Sequence, residues 1–488
     1  MKKSLFIALA AAGMLSACSS QDEIVDNGKG NGTVVTPSNQ INIGVTTGDL
    51  KAMTRGTGTV GGIKENDNKW AGQDLWIYMM SKGTVNPAKF AYSEDAENGL
   101  QEFSIYENKK VTAPKAEAAG LVEDNDIRYY PLAGQYDFWG YRIDDAATMS
   151  QGAPTAKYIS KEGTEATAES DTVKVVVPFE INGTQDLMAG KAAITTEEAE
   201  AVGDNYYSSY AARRGVQPNI AFNHLLTRFT FTVLAGNEST AGYKKVTNET
   251  TELEASEEQK AAKVEGVAIE TKTKGNLVVA YKDPAKVKDE SDPEAVAKAP
   301  ELLEWDATQE KPVKVWLKQR PSAADESKEL NNSNLVDLTA VPLTGKLKTE
   351  SQGEEGEPQT ATKSFEADSI NIGEALMVQP GLKEYPLYLK ISQMLNTTKD
   401  NEGTPKNMVQ TLKTTIKASD IKVLDEEEKP TVFEAGKSYN IVIKIYGYEK
   451  IEITATLIPW KDGGTIDKDT DTPNDWTVEK EEKQEEGE

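Results

Sequence analysis

The residues able to do covalent chemistry are few in this 488-residue chain, which holds one cysteine, Cys18, and one histidine, His224. A Ser-His-Asp relay would have to run through His224, and a zinc site built from several imidazoles is excluded. Residues 220–234 (IAFNHLLTRFTFTVL) read as one long strand, so the imidazole is expected beside a core and outside any catalytic constellation. The 79 Asp and Glu residues leave carboxylate-pair hydrolysis open, since it needs only two acids at the right separation, but no pair stands out. Asp467, Asp469 and Asp471 have the alternate spacing of a calcium loop. Thr472 stands where that loop needs Gly and Val478 where it needs Glu, so a solvated acidic tail is the better reading. Gly56, Gly58 and Gly61 have dinucleotide-loop spacing without a strand before or a helix after, and read as loop glycines. No catalytic residue, cofactor or metal is expected, and the chain is not expected to be an enzyme.

The N-terminus carries a different chemistry. Lys2 and Lys3 precede an apolar run over residues 5–15, too short to cross a bilayer, and small residues follow, which together make a secretory signal. Its ending, Leu15-Ser16-Ala17-Cys18, resembles a bacterial lipobox, in which the cysteine is acylated and becomes the mature N-terminus. That resemblance implies lipidation at Cys18, with palmitate among the acyl chains, and no thiol left for a disulfide or a nucleophile. Stable anchoring takes more than one chain, which a triacylated cysteine supplies. Gln21-Asp22-Glu23 resembles acidic signals that send lipoproteins to the outer surface. The formal charge of −25 argues against nucleic acid as a partner and against adsorption to anionic lipid. No later segment has the apolar run of a membrane-spanning helix.

The elements that follow are almost entirely β. Residues 19–39 are polar and rich in Gly, Asn and Thr, a tether. Ile41, Ile43 and Val45 alternate with Asn42 and Gly44, the period of a half-buried strand. Arg55 stands alone before Arg128 in a Gly/Thr-rich segment of the kind proteases cut. Residues 75–80 form a continuous apolar strand, 135–142 an aromatic one and 172–179 a β-branched one, and 229–233 alternate cleanly. A second β-rich block runs from 267 to 460 and ends in 439–446 and 451–460, which should form a hairpin. A short helix is expected near residues 196–201. Strands separated by turns indicate sandwiches and not a parallel α/β sheet. Trp76, Trp139 and Trp316 lie in strands and are expected in cores, not on a carbohydrate platform.

Several segments together resemble the fimbrillin families of type V pili: the lipobox, Arg128-Tyr129-Tyr130-Pro131 with residues 136–141 (YDFWGY), Asp186-Leu187-Met188-Ala189-Gly190, residues 221–229 (AFNHLLTRF), and the closing strand at 451–460. The resemblance implies an all-β fold of two tandem transthyretin-like Greek-key β-sandwich domains with long polar loops. The expected divisions are a signal at 1–18, a tether and removable first strand at 19–55, sandwiches at 56–236 and 237–461, and an acidic tail at 462–488. It implies export as an outer-membrane lipoprotein at the cell surface and cleavage between Arg55 and Gly56. It then implies loss of a first strand carrying Ile41, Ile43 and Val45, and refilling of its groove by a donor strand of another subunit carrying Ile451, Ile453, Ala455 and Leu457. The partners implied are other fimbrial subunits, in a homo- or hetero-polymer, the outer membrane through the lipid before processing, and a host or bacterial surface ligand in adhesion. Donation exploits the cost of an apolar groove with unpaired backbone walls, and head-to-tail donation propagates a filament. The chain continues for 28 residues past Trp460, unlike a stalk subunit, so a tip or anchor accessory whose last strand stays at home is the alternative, as is a non-polymerising lipoprotein that binds glycan.

Overall fold

The computed structural model describes residues 39–47, 63–64, 67–68, 73–92, 101–112, 128–143, 155–203, 206–248, 250–255, 261–282, 300–321, 335–352, 360–395, 406–421, 430–446, 451–458 and 477–478. Cys18, Arg55, Gly56 and the Asp467-Asp469-Asp471 run lie outside the described residues, as do Pro459 and Trp460.

The chain is all-β. In chain order the principal strands are β1 (Gly44–Thr47), β2 (Asp74–Ser81), β3 (Lys109–Thr112), β4 (Tyr136–Ile143), β5 (Lys157–Ser160), β6 (Thr172–Glu180), β7 (Leu187–Lys191), β8 (Asn219–His224) and β9 (Thr227–Ala235). They continue as β10 (Lys263–Thr271), β11 (Lys274–Tyr281), β12 (Leu303–Trp305), β13 (Val313–Trp316), β14 (Ile370–Val378), β15 (Glu384–Leu395), β16 (Lys406–Lys417), β17 (Ser438–Ile445), β18 (Ile451–Ile458) and β19 (Thr477–Val478). A first sheet runs β1-β8-β7-β4-β2-β3, a second β12-β11-β6-β5, a third β14-β9-β17-β18, and a fourth has β13-β10-β15-β16-β19 as its main path.

The first two sheets close on a core of Trp76, Tyr78, Trp139, Tyr141, Val175, Val177, Leu277 and Val279. The third and fourth close on Phe229, Phe231, Val233, Ile269, Leu389, Tyr439 and Ile441. The first sheet is also buried on its other face, where Leu75, Ile77, Met79, Phe138, Ile220 and Phe222 meet Tyr130, Tyr207 and two helices, α1 (Thr196–Val202) and α2 (Ser209–Ala212). This explains the unbroken apolar run of residues 75–80: odd positions enter one core and even positions the other. The expected helix is present as α1, held by a capping box in which Thr195 and Glu198 satisfy each other's backbone N–H. The expected closing hairpin is present as β17 paired antiparallel with β18 over eight residues.

Residues 220–234 do not form one strand. β8 ends at His224, and the buried Leu225 and Leu226 carry the chain from the first sheet straight into the third, where β9 runs parallel to β17 and antiparallel to β14. The apolar pattern continues across the join because both link residues are themselves core, so the pattern alone hides the break. Strand partners also cross residue 236. β9, before it, contributes to the core of the third and fourth sheets, whereas β11, after it, pairs with β6 of the second.

The cores have an alkaline limit. Burial pushes the Tyr439 hydroxyl up to about 12, partly opposed by a hydrogen bond from the Glu434 amide, and burial drives Tyr141 and Tyr130 far above the usual phenol range. Below pH 10 these groups are neutral whether folded or unfolded. Above it the unfolded chain loses protons that the folded chain keeps, so stability is lost as pH rises from 10 towards 12. Urea midpoints measured at intervals from pH 8 to 11.5 should fall steeply above 10, and Tyr439→Phe should flatten that fall while costing about 1 kcal/mol at pH 8 for the lost Glu434 bond.

Candidate functional site

The alternation of residues 41–45 is realised as an extended segment that leads into the edge strand β1 and lies in a groove of the first sheet. Ile41, Ile43 and Val45 are 5%, 3% and 3% exposed and enter the core with Ile220, Phe222, Phe138 and Tyr130, while Asn42 and Gly44 are half-buried. Burying three such side chains is worth about 2 kcal/mol each. One wall of the groove is the stretch at residues 128–130. Ile41 N–H donates to Arg128 C=O at 2.8 Å, Tyr130 N–H donates to Asn39 C=O at 2.9 Å, and Gln40 lies antiparallel to Tyr129. The other wall is Gln217 through β8. Gly44 N–H donates to Pro218 C=O at 2.9 Å, and β1 then runs parallel to β8 with Gly44 opposite Asn219 and Thr47 opposite Phe222. At Gln217 the wall is a side chain: its Oε1 accepts Asn42 N–H at 3.1 Å and its Nε2 donates to Gln40 C=O at 2.9 Å. Residues 39–41 are thus bonded on the Arg128–Tyr130 side, and residues 40–47 on the side of Gln217 and β8.

Ile451, Ile453, Ala455 and Leu457 lie elsewhere. They sit in β18 at the edge of the third sheet, opposite Ile445, Ile443, Ile441 and Tyr439 of β17, and no strand pairs with the far side of β18 among the described residues. The structure thus places the two candidate strands in different sheets and does not bring them together. Trp76 and Trp139 are buried between the first two sheets, and Trp316 is partly buried.

One constellation was invisible in the sequence. His224 Nδ1 lies 2.5 Å from Oδ2 of the fully buried Asp186. Four residues on, buried Arg228 donates from Nη1 to Ser438 Oγ at 2.9 Å. Burial lowers the Arg228 guanidinium to about 10, against the pull of Asp186 and Glu374. Burial raises the Glu374 carboxyl above its usual range, opposed by Arg320, whose Nε lies 2.7 Å from it. These groups stitch the end of β8 and the start of β9 to their neighbours. Separation hides the pair, since Asp186 and His224 stand 38 positions apart. In the fold the 186–190 motif lies beside the β8 part of the 221–229 motif, with Met188 opposite His224 and Ala189 opposite Asn223. Their fit is tight enough to dictate a glycine: a Cβ on Gly190 would lie 2.1 Å from the Ala221 carbonyl oxygen. Among the described residues no group of three or more His, Cys, Asp or Glu is placed to hold a metal ion.

No protein-family model matches the chain, and no curated protein matches it. Solved structures similar to it include a candidate cell adhesion protein of Bacteroides uniformis, at 13% identity over 86% of this chain and 98% of that one, with a TM-score of 0.31. The fimbrial anchor protein of Porphyromonas gingivalis matches at 10% identity over 88% of this chain and 98% of that one, with a TM-score of 0.26. The tip fimbrial protein of the same organism, truncated at its C-terminus, matches at 8% identity over 86% and 100%, with a TM-score of 0.27.

Two substitutions probe this geometry. Gly190→Ala forces β7 and β8 apart and should lower unfolding free energy by about 2 kcal/mol or more in urea titrations. Ile43→Ala should cost about 2–4 kcal/mol at the groove and speed hydrogen exchange of the Ile41 and Gly44 amides.

Proposed function

We propose that this chain is a structural subunit of a surface fimbria that supports adhesion and joins other fimbrial subunits by exchanging strands. The observation that carries this reading is the groove holding residues 39–47. It is filled by a short extended segment whose three apolar side chains complete a core and whose backbone is bonded to the Arg128–Tyr130 stretch at residues 39–41 and to Gln217 and β8 along residues 40–47. Removing that strand leaves a slot shaped for another extended segment, exposing apolar pockets and unpaired peptide groups that water satisfies poorly. In this reading Cys18 tethers the exported precursor to the outer membrane, cleavage after Arg55 frees the mature chain, and the vacated groove takes Ile451–Ile458 of a second subunit. Main-chain hydrogen bonds and alternating side chains would replace those lost. The protein has no enzymatic role in this reading and needs no cofactor.

A second reading, a tip or anchor accessory, is favoured by β18 lying paired at home along its full length. N-terminal sequencing of protein sheared from cells separates the two. A start at Gly56 is expected for the polymerising subunit. Retention of a lipidated Cys18 in all of the surface protein would overturn the stalk role and leave the accessory.

A further inference from the structure

The groove wall on the β8 side has a gap. Pro218 has no N–H to offer, and strand pairing with β8 begins only at Gly44 opposite Asn219. Beside residues 40–42 the Gln217 side chain stands where a strand would. A carboxamide presents one acceptor and a donor group in a plane, the same pair of functions as a peptide unit. Here the acceptor takes Asn42 N–H and the donor takes Gln40 C=O, two peptide groups pointing to the same edge. Between them, Ile41 N–H points the opposite way, to Arg128 C=O. The three residues are thus pinned alternately on both edges. A slip of one residue would turn the N–H and C=O groups facing Gln217 away from it, and would turn Ile41, Ile43 and Val45 out of the core.

We infer that Gln217 is the register clamp of this groove, a side chain that reads the backbone of whichever strand fills it. In the uncut chain that strand is residues 39–47. In the polymer, and here the inference rests on the function proposed above, it is Ile451–Ile458 of a second copy. Because the clamp reads peptide groups, it sets few demands on sequence. The occupant needs N–H groups at the positions of Ile41, Asn42 and Gly44, so none of these can be proline, and apolar side chains at the positions of Ile41, Ile43 and Val45. Ile451–Ile458 (IEITATLI) contains no proline and alternates apolar residues at Ile451, Ile453, Ala455 and Leu457. Gln217 is a positioning residue, and the partner class it admits is a proline-free strand of alternating polarity.

The test has two arms. In the uncut full chain, Gln217→Ala should speed exchange of the Asn42 amide about tenfold, the scale of losing one or two hydrogen bonds, while the Phe231 amide in β9 stays unchanged. Unchanged Asn42 exchange overturns the clamp. A faster Phe231 amide would reveal general unfolding, and Gln217→Glu then decides: it keeps the acceptor for Asn42 N–H and lacks the donor for Gln40, so retained Asn42 protection supports the clamp and its loss refutes it. In the second arm, chain cut after Arg55 is offered a labelled peptide of residues 39–47, or the same peptide with an ester oxygen in place of the Asn42 N–H. The ester should weaken capture about tenfold on the natural chain and hardly at all on Gln217→Ala. Equal weakening on both overturns the assignment. If neither peptide is captured while Asn42 exchange responds as expected, the clamp stands and the strand-exchange reading falls.

Discussion

A position left empty in a sheet that is buried on both faces is costly, and residues 39–47 answer that constraint beside β8. The first sheet faces Val175, Val177 and Leu277 on one side and the Tyr130, Tyr207 and α2 layer on the other. An empty position beside β8 would therefore leave unpaired peptide groups within a dry interior instead of at a wet rim, a cost of order 1–3 kcal/mol for each buried group. Residues 39–47 supply that pairing along β8 and, through residues 39–41, to the Arg128–Tyr130 stretch as well. The segment is short, so it does this with little chain, borrowing the Gln217 side chain where Pro218 interrupts the wall.

The same economy governs the passage between the two sandwiches. β8 and β9 are separated only by Leu225 and Leu226, both buried, so no linker intervenes between the first sheet and the third. Polar side chains at this junction meet one another across the strands. His224 meets Asp186, Arg228 meets Ser438 and feels Asp186 and Glu374, and Arg320 meets Glu374. Buried pairs of this kind contribute little net stability, but breaking one partner is expensive, which makes them devices for fixing geometry. Gly190 performs the steric counterpart, letting β7 lie against the Ala221 carbonyl where any side chain would collide.

What could be read in advance follows from how local each cause is. The strand at 41–45, the doubly buried run at 75–80, the closing hairpin and the capped helix α1 all announce themselves through neighbouring residues, by alternation, continuous apolarity, a turn or a cap. The break at Leu225-Leu226 could not be read, because a residue buried in a link has the same composition as a residue buried in a strand. The Asp186–His224 pair and the Gln217 clamp were hidden for another reason. Each joins residues far apart in sequence, the clamp over about 175 positions, and each uses a residue type that is unremarked on a surface loop. The parallel pairings of β1 with β8 and of β9 with β17 are likewise properties of topology and leave no period in the chain.

The groove also sets a condition on any exchange. A strand held by backbone bonds and three apolar side chains is replaced by one offering the same kinds of interaction, so the contacts nearly cancel between the two states. What differs is connectivity. While residues 39–47 are covalently joined to the sheet they fill, they compete at an effective concentration in the millimolar range, which a second copy in dilute solution cannot match. A cut in the connection leaves every hydrogen bond in place and removes only that advantage. The incoming strand brings a whole subunit with it, whereas the released segment dilutes away. In the proposed reading, cleavage after Arg55 therefore acts on entropy and not on the groove. The groove need not change shape to become an acceptor, because Gln217 and the Arg128–Tyr130 wall already present their bonding groups in the geometry that the occupant requires.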